Sequence, residues 1–202
     1  MTRLGSRASC LDADAVVAIL EQLDAASIPV WLDGGWGVDA LLGEQTRDHR
    51  DLDLVVNATD VPKLQEALLA IGFRVKPGGT AANFILADEH GREVDVHPIE
   101  FDQRGCGLFQ LPDGRRWPFP PAAFAGKGRV GERQVRCLSA DAQVQCHGQG
   151  YEPTEKDLHD MERLQQRVGI ALPINLCRQR DGDSKRAAQH SIAADAPKAA
   201  RR

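Results

Sequence analysis

The sequence predicts an α+β fold: a mixed twisted sheet with flanking helices, followed by a short helical part near the C-terminal end. Three observations predict it. Helical and strand-like segments are interleaved early in the chain, hairpin-like segments follow, and two helical segments come last. The chain has 202 residues, of which 42% are hydrophobic and 27% are charged. That length and composition are typical of one globular domain, or of one domain with a small appendage.

Apolar spacing predicts the first elements. Residues 12–26 place apolar side chains at i, i+3, i+4 and i+7, which predicts a helix with one buried face. Those side chains are Val16, Ile19, Leu20 and Leu23. Residues 29–32 predict a short buried strand. Residues 36–42 predict a second short helix that ends at Gly43.

The middle of the chain predicts further strands around one helix. Residues 51–56 alternate polar and apolar side chains, which is typical of a strand. A helix is predicted over residues 60–71 and a short strand over residues 72–75. Residues 83–87 and 93–99 are two strand-like runs joined by a polar segment, which predicts a hairpin.

The last part of the folded region begins with an expected loop. Residues 100–121 are rich in Gly and Pro, so we expect no regular structure there. Residues 129–138 predict a hairpin that turns near residues 131–132. Two helices, over residues 140–147 and 154–168, are predicted to complete the fold.

The domain organisation follows from these elements and from charge. We expect a core over residues 1–138, C-terminal helices over residues 139–177 that pack on it, and a disordered basic tail over residues 178–202. The tail has seven Lys and Arg against three Asp, a net charge of +4. The whole chain is at −4, so the body is at −8. The tail has almost no large apolar residues, and such segments rarely fold.

Composition also limits the environment and the partners. The five cysteines are odd in number and form no C-x-x-C pair, which argues against a disulfide framework or a structural zinc site and favours a reducing cytosol. No long apolar run or signal-peptide pattern is present, so we expect a cytoplasmic protein that does not bind membranes. An acidic body matches nucleic acid poorly, and we expect none as a partner.

Three carboxylates and a glycine pair carry the chemistry. Gly34 and Gly35 follow a predicted strand, Asp51 and Asp53 lie two apart on the next one, and Asp95 lies on a later strand. Side chains two apart on a strand point to the same face. If Asp95 lies on a neighbouring strand with the same orientation, the three carboxylates converge.

Converging carboxylates predict a divalent cation. Like charges raise each other's pKa, so three anions are costly to hold together without a cation. Mg²⁺ prefers oxygen ligands and keeps positions open for phosphate oxygens. A Gly-Gly turn at the start of a helix exposes backbone N–H groups where a phosphate binds well. The alternative, a solvated strand face beside a structural turn, suits each feature alone better than the three in this order.

Several motifs together resemble a known group of enzymes. They are WLDGGWGVD at residues 31–39, HRDLD at 49–53, VDVHP at 94–98, HGQGY at 147–151 and TEKDLHD at 154–160. These strings resemble the antibiotic nucleotidyltransferases of the DNA polymerase β-like superfamily. They are most similar to the small lincosamide nucleotidyltransferases, and more distantly to the aminoglycoside 2″-nucleotidyltransferase.

The resemblance implies a fold and a set of roles. The fold would be a polymerase β-like nucleotidyltransferase core. Asp51 and Asp53 would bind two Mg²⁺ ions, and Asp95 would complete the first ion's ligands and help take the proton from the acceptor hydroxyl. ATP, or another nucleoside triphosphate, would be the co-substrate.

Basic residues near the carboxylates are candidate nucleotide ligands. Arg47 and His49 precede the carboxylate strand, where they could neutralise phosphates; an exposed loop, or an ion pair with Asp48, is the alternative. Lys156 lies near the start of the last helix, where a bound phosphate would make a cation favourable and where a solvated lysine is equally expected. With Gly34 and Gly35, these three residues form the predicted nucleotide-binding set.

Other residues receive structural or acceptor roles. Trp31 and Trp36 are expected in the core, and Asp39 is expected to pair with a nearby arginine. Glu100 and Asp102 could bind a cationic amine of the acceptor or could simply be solvated.

The predicted function is Mg²⁺-dependent transfer of AMP from ATP to a hydroxyl of a lincosamide antibiotic, with release of pyrophosphate (an enzyme of EC 2.7.7 type). Three alternatives stay open. They are an aminoglycoside nucleotidyltransferase, a nucleotidyltransferase antitoxin acting on a protein or RNA, and a non-catalytic nucleotide-binding regulator. The sequence also leaves open the nucleotide and whether two chains form a homodimer around one pocket.

Overall fold

In the part of the chain that the structure describes, helices and strands are interleaved as far as Ala70, seven strands follow, and two α-helices come last. The computed structural model describes residues 10–80, 83–111, 114–149 and 152–178. The α-helices found there are α1 (Ala13–Ala25), α2 (Gly34–Leu42), α3 (Val61–Ala70), α4 (Ala140–Gly148) and α5 (Glu155–Val168). The strands found there are β1 (Val30–Asp33), β2 (Asp51–Asn57), β3 (Arg74–Val75), β4 (Phe84–Ala87), β5 (Glu93–Phe101), β6 (Gly107–Gln110), β7 (Arg116–Phe119), β8 (Gly126–Val130) and β9 (Arg133–Cys137).

The strands form one mixed sheet. Its main order is β3-β4-β5-β2-β1-β9-β8, and the β6–β7 hairpin continues from β5. Strands β2 and β5 are parallel, as are β1 and β9, whereas the other pairs are antiparallel. The predicted α+β class, with a mixed sheet and flanking helices, is confirmed.

The main core lies between one face of the sheet and helices α1 and α3. Helix α1 buries the four apolar residues that its spacing predicts, and it begins where the Asp12 side chain accepts a hydrogen bond from the Ala15 N–H at 2.9 Å. The sheet contributes the alternate residues of its central strands. These are Leu52, Leu54 and Val56 from β2, and Val94 and Val96 from β5.

A second apolar cluster covers the opposite face of the sheet. Its buried members are Val55, Ile99, Phe119, Ala123, Leu138 and Ala142. Aromatic side chains pack around them, and the Trp31 ring lies 5.6 Å from the Phe101 ring and 5.4 Å from the Phe124 ring between centroids. Trp31 is only partly buried, whereas Trp36 lies in the main core, so both fulfil the expected packing role.

The segment at residues 100–121 corrects the sequence prediction of a loop. It contains β6 and β7, which pair Leu108 with Pro118 and Phe109 with Trp117. Pro118 is tolerated because β7 pairs with a neighbour on one side only, β6. The Gly and Pro content obscured a hairpin whose apolar side chains pack on the second cluster.

The C-terminal helices pack on α2. Val38 and Leu42 of α2 contact a cluster that includes Met161 and Leu164 of α5. The division at residue 138 stays a prediction, and the predicted tail lies outside the described residues beyond Arg178. In the described part of the chain, no helix has the length and apolar character needed to cross a bilayer.

Two leucines of α3 test this description of the core. Leu64 is fully buried, whereas Leu69 is 51% exposed on the same helix. We expect Leu64→Ala to lower the free energy of unfolding by about 2–5 kcal/mol through lost burial and a cavity. Leu69→Ala should change it by no more than about 0.5 kcal/mol. Urea denaturation measures both, and equal losses would contradict the packing described for α3.

Candidate active site

Strand register brings three carboxylates into one row. Antiparallel pairing of β1 with β2 sets Asp33 opposite Asp53, and parallel pairing of β2 with β5 sets Asp53 opposite Asp95. Residues paired in this way present their side chains on the same face of a sheet, with strands about 4.8 Å apart. The row Asp33–Asp53–Asp95 therefore lies on the face opposite the main core. Asp51 shares this face, one step along β2.

Glycines allow the start of α2 to approach this row closely. Gly34 has a φ of +58°, and a Cβ there would overlap the Asp53 carboxylate. A Cβ on Gly35 would overlap the Arg47 guanidinium and the His49 ring. Helix α2 consequently begins at Gly34, two residues earlier than predicted, because the Asp33 side chain accepts a hydrogen bond from the Gly34 N–H at 2.8 Å.

Arg47 joins the carboxylate region to α5. Its Nε and Nη2 donate to the two carboxylate oxygens of Asp160 at 2.8 and 2.6 Å, and Asp160 is buried. Burial alone would lower the pKa of Arg47, but the hydrogen bonds and charge of Asp160 outweigh it and raise that pKa. Arg47 also lines the cleft beside the carboxylates. With Asp48, Arg47 makes a hydrogen bond to the backbone carbonyl, at 3.2 Å, in place of the ion pair that the sequence suggested.

His49 corrects the prediction made for it and the one made for Asp39. The His49 side chain is 1% exposed, and its Nε2 lies 2.5 Å from Asp39 Oδ2. Asp39 also accepts a hydrogen bond from Thr46 Oγ1 at 2.6 Å, so its hydrogen-bond partners are His49 and Thr46, while its charge also helps to raise the pKa of the nearby Arg47. The His49 ring packs against Trp36, 4.7 Å between centroids. Its burial away from the cleft lining leaves it no surface for a phosphate.

His97 projects over the carboxylate row. Its Nε2 lies 3.5 Å from Asp53 Oδ1 and 3.8 Å from Asp95 Oδ1. Burial alone would lower the pKa of the imidazole, but the hydrogen bond and charge of Asp53, helped by Asp95 and Asp33, raise that pKa to about 9. In the protein without a metal, a protonated His97 partly neutralises the carboxylates.

The carboxylates fit a cation. Burial is the largest cause that raises the pKa of Asp51, Asp95 and Asp33, and neighbouring Asp carboxylates raise each further. Asp95 Oδ1 is buried and has no hydrogen-bond partner among the described residues. Asp53, Asp95 and His97 offer ligand atoms that all lie within 4.8 Å of one another. This group differs from the predicted metal set, since it has His97 where the prediction had Asp51.

One cleft is lined by Asp33, Asp51, Asp53 and His97, but Asp95 is not part of its lining; the cleft has a polar wall and an apolar wall. Its polar wall contains both glycines and the two cations Arg47 and Lys156. Lys156 is the second residue of α5 and lies between Thr154 and Asp157, which form a capping box; its charge lowers the pKa of Asp51 against the effect of burial. The apolar wall continues from the carboxylate face of β2 and β5, and four of its side chains are aromatic. It contains Val55, Ile99, Phe109, Leu111, Trp117, Phe119, Phe124 and Leu138.

The two carboxylates suggested for an acceptor amine do not line this cleft. Glu100 is exposed and lies 3.5 Å from Arg116. Asp102 Oδ1 accepts hydrogen bonds from the Arg104 and Cys106 N–H groups, each at 2.8 Å, and so stabilises a turn. Asp33 lines the cleft instead, although sequence reasoning gave it no role. Its position in the sequence, between a predicted buried strand and the glycine pair, could have indicated a place in the site.

A mixed sheet with a carboxylate row, next to a glycine-initiated helix and a cleft with cations, defines the protein as a nucleotidyltransferase. The chain belongs to the aminoglycoside-2″-adenylyltransferase family, whose pattern matches residues 15–164. It is 33% identical over 146 residues to a lincosamide resistance protein of Staphylococcus haemolyticus, covering 72% of this chain and 89% of that protein. A 2″-aminoglycoside nucleotidyltransferase of Escherichia coli is 31% identical over 125 residues, covering 61% of this chain and 66% of that protein.

Solved structures agree with this assignment. The lincomycin-bound lincosamide adenylyltransferase LnuA superposes with a TM-score of 0.66 at 32% identity, covering 74% of this chain and 94% of that one. The complex of ANT(2″)-Ia with adenylyl-2″-tobramycin superposes with a TM-score of 0.63, covering 90% of this chain and 97% of that one. Its identity is 18%, so it supports the fold alone.

The position of His97 predicts an unusual titration. A folded pKa of about 9, against an ordinary value of 6.5, means that this group stabilises the fold fully below pH 6.5 and loses that effect as pH rises to 9. We expect the metal-free protein to show the His97 ring protonated at pH 7.5 in an NMR titration, with the resonance assigned by its loss in His97→Gln. Adding Mg²⁺ should lower the midpoint, because the cation offsets the carboxylate charge. A midpoint near 6.5 without metal would contradict this geometry.

Proposed function

We propose that the protein transfers AMP from ATP to a hydroxyl of a lincosamide antibiotic, with Mg²⁺, and releases pyrophosphate. The observation that carries the proposal is the junction of the carboxylate row with an apolar aromatic wall in one cleft. A lincosamide resistance protein among the relatives and the lincomycin-bound structural neighbour support the same acceptor class.

Asp51, Asp53 and Asp95 are the residues we propose as Mg²⁺ ligands, for two ions. The carboxylate oxygens are the ligand type that Mg²⁺ prefers, and Asp95 Oδ1 is buried without a hydrogen-bond partner among the described residues. His97 lies close enough to join or orient the set. When bound, Mg²⁺ offsets the charge of the phosphates and makes a nearby hydroxyl more acidic.

The chain's own groups then have distinct roles in the proposal. The acceptor hydroxyl gives its proton to Asp95, and its oxygen forms a bond to the α-phosphorus while the bond to the leaving pyrophosphate breaks. Lys156 and the backbone N–H group of Gly35 hold the phosphates, and Gly34, whose N–H donates to Asp33, leaves room for them. Arg47 adds positive charge to the cleft. Because both carboxylate oxygens of Asp160 hold its guanidinium, we assign it a role in positioning α5 as well as in binding phosphate.

The acceptor wall favours a lincosamide over an aminoglycoside. An aminoglycoside carries several ammonium groups and needs several anionic or hydrogen-bonding partners around it. The described side chains of the wall are instead apolar and aromatic, which suits an acceptor with one amine and alkyl substituents. An aminoglycoside is the second candidate, because the family bears that name and a relative is a 2″-aminoglycoside nucleotidyltransferase.

The net charge of the body and the three carboxylates argue against an antitoxin that acts on RNA and against a non-catalytic regulator. The −8 body opposes binding to RNA, and all three carboxylates are present, whereas a non-catalytic regulator could dispense with one. We also propose a cytosolic location, since ATP is available there and all five cysteines are free thiols.

Pyrophosphate release tests the transfer. We would measure it with Mg²⁺ and each nucleoside triphosphate in turn, against lincomycin, clindamycin, tobramycin and kanamycin. We expect release with ATP and the two lincosamides. Asp53→Asn should reduce kcat/KM by at least about 100-fold, because it removes a metal ligand. Asp141→Asn, a matched change at an exposed position of α4, should leave the rate unchanged.

The outcomes separate the candidate functions. Release with tobramycin or kanamycin alone moves the assignment to aminoglycosides. If no drug gives pyrophosphate release although ATP binds, the transfer is refuted, and the antitoxin or the regulator becomes the favoured function.

Lys156 allows a separate test of the nucleotide site. It lines the cleft near Asp51, whereas Lys63 is exposed on α3. We expect Lys156→Met to raise the KM for ATP by about tenfold, the loss of one charge-assisted contact to phosphate. The KM for lincomycin should stay the same, and Lys63→Met should change neither constant. An unchanged KM for ATP would remove Lys156 from the proposed site.

A further inference from the structure

Asp33 lies where the two walls of the cleft meet. It is the last residue of β1, and its register partner Asp53 separates it from Asp95. On its other side the Leu138 N–H donates to the Leu32 carbonyl at 2.9 Å, which places the apolar wall next to Asp33. Asp33 thus belongs to the carboxylate row and borders the acceptor side of the cleft.

Asp33 has one carboxylate oxygen available. Its Oδ1 accepts the hydrogen bond from the Gly34 N–H, and Oδ2 accepts none from the described residues. No lysine or arginine among the described residues pairs with it, and the charge of His97 is the largest effect that lowers its pKa. Burial raises its pKa, and the charge of Asp53 raises it further. The positive charge that offsets Asp33 is therefore that of His97, which Asp33 shares with Asp53 and Asp95.

Other acids near the acceptor wall are already engaged. Asp157 caps α5 through the Thr154 N–H at 2.7 Å, and it lies 3.7 Å from His147 Nε2. Glu100 and Asp102 lie outside the cleft lining, as described above. Asp33 is also absent from the group that can share one metal ion.

We propose that Asp33 binds the protonated amine of the acceptor and so determines specificity for a singly cationic drug. The inference rests on the proposed function. An ammonium group at Asp33 Oδ2 would offset a carboxylate that is costly to keep ionised. Alkyl groups on the same nitrogen would contact the neighbouring apolar wall at Leu138. Asp33 acts in binding and takes no part in the bond changes at phosphorus.

A ligand without the charge provides the sharpest test. N-Demethyllincomycin acetylated on its ring nitrogen keeps the sugar and side chain but is neutral there. Asp33→Asn keeps the size of the side chain and the oxygen that accepts from Gly34, because Asn also caps helices well. We would measure binding of both ligands by calorimetry in the presence of Mg²⁺ and a non-hydrolysable ATP analogue, and then turnover.

We expect the variant to lose affinity for the charged ligand and to keep its affinity for the neutral one. Asp33→Asn should weaken lincomycin binding by about tenfold or more, raise its KM in parallel and leave kcat within about twofold. Binding of the neutral derivative should change by less than about twofold. Asp102→Asn, a matched loss of charge outside the cleft, should alter neither ligand.

Other results would overturn the inference. They are an equal loss for both ligands, a fall in kcat at constant KM, or no change. If the variant does not fold, the wild-type protein decides, since equal affinity for the charged and neutral ligands excludes an ion pair. Tight lincomycin binding without pyrophosphate release would refute the proposed function and leave the Asp33 contact standing.

Discussion

The pairing of β2 with both of its neighbours is the constraint on which the site depends. Antiparallel pairing to β1 and parallel pairing to β5 set Asp33, Asp53 and Asp95 in one row, while Leu52 and Leu54 fill the core behind it. A shift of one residue in either register would move a carboxylate into the core and a leucine into the cleft, so burial of the apolar face fixes the site. The close approach of α2 then requires glycine at Gly34.

Electrostatics explain why so much of the chain converges near this row. Asp33, Asp51, Asp53 and Asp95 are held close together, and the surrounding elements each bring a cation towards them. Arg47 precedes β2, His97 extends from β5, and Lys156 begins α5. The Arg47–Asp160 pair joins α5 to the segment before β2, so the element that carries Lys156 is tied to the carboxylate strand.

The sequence predicted what periodicity and spacing determine. Two-residue alternation placed Asp51 and Asp53 on one face of β2, and helical spacing identified the buried face of α1, because each is a local property of the chain. The β6–β7 hairpin was missed because its pairing depends on β5 continuing to Phe101, and glycine and proline hid its short apolar pattern. The Asp39–His49 pair was missed because the fold alone brings them together.

In the function we propose, the two tasks of the cleft fall to separate parts of the fold. The carboxylates belong to the central strands, whose register is fixed by the core, whereas much of the acceptor wall belongs to a hairpin attached to the sheet through β5. Side chains of the hairpin can therefore change without moving Asp53 or Asp95. In the proposed function, such changes would alter the acceptor while the carboxylates stay in place, and relatives of this chain bear both lincosamide and aminoglycoside names. Asp33 is the exception, because it borders the acceptor wall from within the row, and its position is fixed by the same register as the chemistry.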